Sequence, residues 1–324
     1  MEYRSLGKHG LRVSEVSLGS WMTSLRSPKE ADLARETLLL AYDHGVNFFD
    51  CADAYSGGEA ERFLGESLRQ LERSSYILSS KVFFASGDGP NDWGLSSKHI
   101  RHQIDSSLRN LQVDYLDMYF CHRFDATVPL AETLQALSDL VVEGKILHYG
   151  VSEWTAVQVL QAQRVISSLG LRPLSVIQPQ YNMMDRYIEN ELVDVCEADG
   201  IGIVPFSPLA QGLLTGKYRK GRPLPEGSRA THQADRQINN LLTEDNLSKV
   251  ERLIALGQAL DFELSVMALA WTLRKGIVSS VITGASRPEQ LTTNIAASGV
   301  TLPAEALAEI EEILDFRPFV RSVG

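Results

Sequence analysis

The chain has 324 residues, 44% apolar and 22% charged, the balance of a globular protein with room for a large core. Its formal net charge of −10 argues against a nucleic-acid surface, which needs concentrated Lys and Arg. Three widely spaced cysteines (Cys51, Cys121, Cys196) follow no metal spacing and predict reduced thiols in a cytosolic protein; neither a signal-peptide core nor a membrane-length apolar window is present.

In chain order, short apolar and polar alternation around Lys8-His9-Gly10 predicts a hairpin. VSEVSLG reads as a strand, and the helix after it has a marked start: Ser27 as N-cap, Pro28 at the first helical position and Glu30 completing a capping box. Leu33, Thr37, Leu40 and Ala41 keep one face of that helix, and Gly45 ends it. VNFFD precedes a helix near 59–71, and YILSSK one near 98–110 with Ile100, Ile104, Leu108 and Leu111 on one stripe. DYLDMYFCH precedes 130–143, ILHYGVS precedes 155–169, and LSVIQ precedes 188–199. IGIVPFS leads into an irregular segment, 215–240, and then helices near 244–260 and 265–275. VSSVIT precedes 287–298, and a last helix spans 303–314.

Near-continuous apolar strands alternating with amphipathic helices indicate a parallel sheet covered by helices. Eight strand–helix units after the hairpin favour a closed (β/α)8 TIM barrel with an extra C-terminal helix, read as one domain over 1–324. No Gly-x-Gly-x-x-Gly follows the first strand, which weighs against an open doubly wound sheet.

Barrel chemistry belongs at the carboxyl ends of strands. Strand two ends in Asp50 with Tyr55 just beyond, strand three in Lys81 and strand four in His122, so all four should project into one mouth. Singly, Asp50 reads as a loop cap, Tyr55 as a half-buried aromatic, Lys81 as a snorkelling cation and His122 as a hydrogen-bonded structural histidine. Together they make an acid: a phenol titrates near ~10, an adjacent ammonium lowers that value, and a carboxylate behind the ammonium holds it in place. His122 would hydrogen-bond a carbonyl oxygen and orient it. His99 and His102 lie three apart without a third ligand, so a solvated helix face is expected and no metal. Trp271 is expected in the core, and Phe83, Phe84, Trp93 and Phe124 as candidates for an apolar wall around a substrate.

These motifs resemble the aldo-keto reductase family over essentially the whole chain. GVNFFDCADAYSGGEAERFLG, with Asp50, Tyr55 and Glu61-x-x-Leu64-Gly65, resembles the family's first signature. GLSSKHIRHQIDSSLRNLQVDYLDMYFCHRFD and FSPLAQGLLTGKY resemble the branch of bacterial and plant reductases related to potassium-channel β subunits. The resemblance implies an Asp–Tyr–Lys–His tetrad reducing aldehyde or ketone carbonyls with NADP(H). It implies Ser20, Trp21 and Asp50 near the nicotinamide end, and Ser152 with Gln178 on the carboxamide, with Glu153 standing where the family usually has Asn. Phe206 would stack on the nicotinamide, and Ser207, Pro208, Leu209, Ala210 and Gln211 would cradle the pyrophosphate beside Lys217. Arg229 is implied near the adenosine phosphate, and Gly284, Ser286, Arg287, Gln290 and Asn294 around the adenosine half, with Thr293 replacing a frequent acidic residue. The alternative is a cofactor-binding regulatory subunit of a channel-like partner, with low turnover. His122, where mammalian channel subunits carry Asn, and a chain that begins directly at the hairpin without a long N-terminal arm both favour an enzyme. Homo-oligomerisation is left open.

Overall fold

Strands β1 (Tyr3–Ser5) and β2 (Arg12–Ser14) pair antiparallel, Arg4 opposite Val13, and form the predicted hairpin. The structure is a computed structural model that describes residues 1–20, 27–231 and 236–317. After the hairpin the chain alternates β3 (Val16–Gly19), α1 (Pro28–Asp43), β4 (Phe48–Asp50), α2 (Glu59–Leu68), β5 (Ile77–Val82), α3 (Ser97–Leu111), β6 (Leu116–Cys121) and α4 (Leu130–Val142). It continues through β7 (Ile146–Ser152), α5 (Ala156–Leu169), β8 (Val176–Gln178), α6 (Leu192–Asp199) and β9 (Gly202–Ile203). Helices α7 (Arg236–Leu241), α8 (Glu244–Ala259) and α9 (Leu264–Leu273), then β10 (Val281–Thr283), α10 (Pro288–Ile295) and α11 (Ala304–Leu314), complete it.

The eight strands from β3 to β10 are parallel, in the order β10-β3-β4-β5-β6-β7-β8-β9. Bridges Ile203↔Val278 and Phe206↔Ile282 join the β9 segment to the β10 segment and close the ring. The predicted (β/α)8 barrel is what forms.

Helix starts follow the sequence signals. Ser27 Oγ accepts the Glu30 N–H (3.3 Å) with Pro28 at N1, Ser96 accepts from His99, and a complete capping box joins Thr155 and Gln158. Two boundaries differ from the periodicity. Helix α2 stops at Leu68, where a tightened turn takes over (Leu71 N–H to Leu68 O, 2.8 Å). Within the segment read as irregular, Arg229–Thr231 makes a 3-10 turn and α7 follows.

The barrel has two separate apolar cores. Inside the ring lie Phe48, Ile77, Met118, Phe120, Val176, Val204 and Ile282, and the hairpin's Leu6 and Val13 join them as a floor. Their neighbours Phe49, Leu78, Tyr119 and Ile177 face outward into the larger core beneath the helices. Each strand is thus buried on both sides, which is why its sequence runs apolar instead of alternating. The period of two does more. Two residues beyond Phe48 is Asp50; beyond Ile77 come Ser79 and Lys81; beyond Phe120, His122; beyond Val176, Gln178; beyond Val204, Phe206. The inner row that begins as core ends as a polar rim at the carboxyl ends.

Among the described residues no single helix is long and apolar enough to cross a membrane. Helices α2 and α3 cross at Gly65, where an added Cβ would stand 2.4 Å from the Leu111 carbonyl oxygen. Alanine is ordinarily the better helix residue by about 1 kcal/mol, but here it meets backbone. Gly65→Ala is therefore expected to destabilise the protein by about 1–3 kcal/mol, read from urea midpoints; an unchanged or raised midpoint would refute the close crossing.

Candidate active site

Parallel pairing sets Asp50 of β4 beside Ser79 of β5, so Lys81, two residues on, ends just above it. The Lys81 ammonium is fully buried and uses its three protons: Asp50 Oδ2 at 2.6 Å, the Cys51 carbonyl at 2.6 Å and the Tyr55 hydroxyl at 3.3 Å. The other carboxylate oxygen of Asp50 accepts from Ser79 Oγ (2.7 Å) and from Gln178 Nε2 (3.1 Å), the latter reaching over from β8. Both buried charges are paired and hydrogen-bonded, which makes them tolerable away from water. Tyr55 lies in a tight turn after β4, ahead of Ser56 (φ 51°) and Gly57 (φ 62°). Its ring meets the His122 imidazole edge-on at 5.7 Å, and Phe84 packs on the other side of that imidazole at 4.9 Å. The four side chains that strand order predicted to share one mouth do share it.

Their electrostatics depart from expectation in one respect. Burial works against the Lys81 ammonium, but the charge and hydrogen bond of Asp50, together with Tyr55 and Cys51, outweigh it and hold the pKa above the ordinary lysine range. Burial also dominates at Tyr55 and raises its phenol; Lys81 pulls downward as anticipated but does not overcome it. The sequence predicts a lowered phenol, because adjacency is legible there and depth of burial is not. Burial, helped by the charges of Lys81 and Arg123, pushes His122 down to about 2, so its imidazole is neutral, and its Nδ1 is buried without a hydrogen-bond partner among the described residues.

Several residues implied for a cofactor surround this centre. Ser20 is buried, its backbone N–H and hydroxyl both donating to the Asp50 carbonyl (2.9 and 3.0 Å); Trp21 lies outside the described residues. Ser152 and Gln178 end adjacent strands, the serine hydroxyl donating to the Gln178 carbonyl at 2.9 Å. Phe206 is half-buried at the rim, and Pro208, Ala210 and Gln211 are buried in the loop that follows. That loop holds Ser207 (φ 51°), Ala210 (φ 47°) and Gln211 (φ 58°) in the left-handed region, a conformation that costs non-glycine residues on the order of 1–3 kcal/mol each. Arg229 reaches Gln211, and Gln211 Nε2 donates to Ser207 Oγ (2.9 Å), so the long segment is tied to the loop. Lys217 is exposed, its Nζ 5.1 Å from the Tyr218 ring centre. At the start of α10, Gly284, Ser286 and Arg287 are exposed, Gln290 accepts from the Ser286 N–H (2.9 Å), and Asn294 is buried.

A family model described as "Aldo/keto reductase family" matches residues 15–315. The chain belongs to the aldo/keto reductase family. Two similar relatives, from Arabidopsis thaliana and Oryza sativa subsp. japonica, are each 40% identical over 98% of both chains and are named "Probable voltage-gated potassium channel subunit beta". Membership makes this aldo/keto reductase an oxidoreductase by class.

Of the aromatic residues expected around a substrate, Phe83 packs on Phe84 and Trp93 (5.4 and 6.3 Å), whereas Phe124 turns away onto buried Trp154. Trp271 is fully buried, as expected. His99 is a correction: it is buried in α3, not on a solvated face, and only His102 is exposed. The helix stripe of Ile100 and Ile104 is wide enough to carry His99 inward with it.

Sequence reasoning also passed over a polar cluster behind β5. Glu61 of α2 is fully buried, bonded by Ser80 Oγ (2.6 Å) and Asn110 Nδ2 (2.9 Å). Asp53 accepts from Gln103 Nε2 (2.9 Å) while its Oδ1 is buried without a partner among the described residues. The signal was present, since Asp53 lies between Asp50 and Tyr55. Burial pushes Asp53 up to about 7, with Glu61 adding to the rise. A carboxyl that holds its proton more tightly when folded weakens folding as pH climbs from its unfolded value, ~3.9, through its folded one. Asp53→Asn is therefore expected to gain stability over the wild type between pH ~4.5 and ~8, on the order of 2–4 kcal/mol, read from denaturant midpoints at both pH values. A pH-independent difference would show that Asp53 is ionised throughout.

Proposed function

We propose that this aldo/keto reductase is an NADP(H)-dependent reductase of aldehyde and ketone carbonyls. The observation that carries the reading is the chain of contacts Asp50–Lys81–Tyr55, with neutral His122 beside the phenol. Tyr55 keeps its proton at neutral pH, as a proton donor must. As a substrate oxygen gains negative charge, the phenol passes its proton on, and the phenolate left behind stands 3.3 Å from the Lys81 ammonium. Asp50 keeps that ammonium in place and charged. His122, neutral, has one N–H to donate to the carbonyl oxygen and positions it against Tyr55.

The residues present fit a nicotinamide dinucleotide. The half-buried face of Phe206 suits an aromatic ring, and the buried pair Ser152 and Gln178 suits a carboxamide. The left-handed backbone of 207–211 turns the loop at the rim, in the conformation that phosphate-binding loops use. Phe206, Ser152 and Gln178 would hold the nicotinamide end, and the hydride for the carbonyl carbon would come from that bound cofactor. The names of the plant relatives support the channel part of a second reading, a subunit that regulates a channel-like partner; that reading would have it hold the cofactor and turn over slowly.

Tyr55→Phe is expected to lower kcat for carbonyl reduction by ~10²-fold or more while NADPH still binds. Absorbance assays and fluorescence titration check the two halves, and near-normal turnover in the variant would overturn the assignment. A wild type that binds NADPH and reduces no carbonyl supports the regulatory reading.

NADPH is expected over NADH. The distinguishing phosphate carries nearly two charges and calls for arginine. Arg229 and Arg287 are the candidates, the latter at the start of α10 where the helix end attracts anions. Arg229→Ala and Arg287→Ala should each raise KM for NADPH roughly tenfold, about 1.4 kcal/mol, with little change for NADH. Equal use of both cofactors by the wild type would remove the phosphate site.

A further inference from the structure

Arg123 directly follows His122 and has no part in the tetrad. Its guanidinium lies 5.7 Å from the centre of the Phe84 ring, the ring that packs on His122, and donates to the carbonyl of His122. Among the described residues it has no carboxylate within 4.0 Å. The acids of the adjoining loops are committed elsewhere. Asp125 accepts from the Leu95 N–H and from both N–H and hydroxyl of Thr127. Glu153 accepts from the Gln180 N–H (2.6 Å) and the Tyr187 hydroxyl (3.3 Å), and Asp185 from Gln180 Nε2 (2.7 Å). The phenol of Tyr187 is raised mainly by burial, and the charge of Arg123 opposes that rise, so the cation faces across to the loop after β8.

The row of aromatic side chains that begins at Phe84 is unusually bare. Phe84, 40% exposed, lies against the neutral imidazole, and ring contacts through Phe83 carry the row on to Trp93, 46% exposed, large apolar groups left in water. A half-buried guanidinium with no carboxylate among the described residues, at the end of a row of exposed aromatics, is complementary to one kind of molecule: a flat apolar body with an anion at one end.

We propose that Arg123 selects the substrate, binding the carboxylate of an aromatic or otherwise apolar carbonyl compound whose aldehyde or ketone lies at Tyr55 and His122. This rests on the reductase reading. The aromatic wall takes the body of the substrate and Arg123 its charged end, so the anion is read by one residue and the carbonyl by its neighbour.

The test compares 4-carboxybenzaldehyde with its methyl ester, which removes the charge and keeps the ring. The wild type should favour the acid in kcat/KM by about tenfold, one strong ion pair's worth, and added salt should shrink that preference. In Arg123→Met the ratio should fall to about one, and Arg123→Lys should keep part of it. Because the ratio is taken within each variant, any disturbance of His122 cancels. A ratio near one in the wild type, or one unchanged in Arg123→Met, overturns the proposal. Should the wild type reduce neither aldehyde, the reductase reading fails separately. The anion site is then judged by the Kd of 4-carboxybenzaldehyde from tryptophan fluorescence, which must weaken about tenfold in Arg123→Met for the proposal to stand.

Discussion

A lysine ammonium buried in a barrel organises everything at its mouth. Removing such a charge from water costs several kcal/mol, recovered only if its partner and hydrogen bonds are in place. Lys81 meets that condition through Asp50, the Cys51 carbonyl and Tyr55. Asp50 meets it in turn through Ser79 and through Gln178 from β8. One electrostatic requirement therefore ties together β4, β5, β8 and the turn that carries the phenol. The same field and the same depth keep His122 neutral.

Much of this was legible in the sequence because barrels convert a period of two into geometry. Apolar runs ending in Asp50, Lys81 and His122 place those residues on the inner face at the carboxyl end, and the structure puts them within contact of one another. What sequence could not supply was depth. The same Lys81–Tyr55 adjacency that suggests a lowered phenol gives a raised one, since burial outweighs a single neighbouring charge. Depth also moved His99 inside and brought Asp53 and Glu61 together beneath the site. Contacts far apart in the chain were illegible for another reason: nothing near Gln178 announces that it will reach Asp50.

Backbone strain is distributed unevenly. Among the described residues, five of the eight non-glycine residues with positive φ stand in the loops at the mouth: Ser56, Glu153, Ser207, Ala210 and Gln211. The remaining three, Gln112, Asp261 and Asp315, sit at helix ends where that conformation is common. The mouth is held in shapes that its sequence would not choose locally, and the two apolar cores below it supply the rigidity that holds them.

The way the ring closes has a consequence for how the protein is made. Strand β3 pairs with β10 through Val16↔Val281, contacts separated by most of the chain. A ribosome adding 5–20 residues each second leaves the β3 edge without that partner for on the order of 10–50 s. Throughout that interval the nascent sheet carries an open edge of unpaired amides and carbonyls, a template for pairing with other chains. Truncation anywhere before residue 281 makes this transient state permanent. Shortened forms of the chain therefore keep exposed the pairing edge that the last strand would cover.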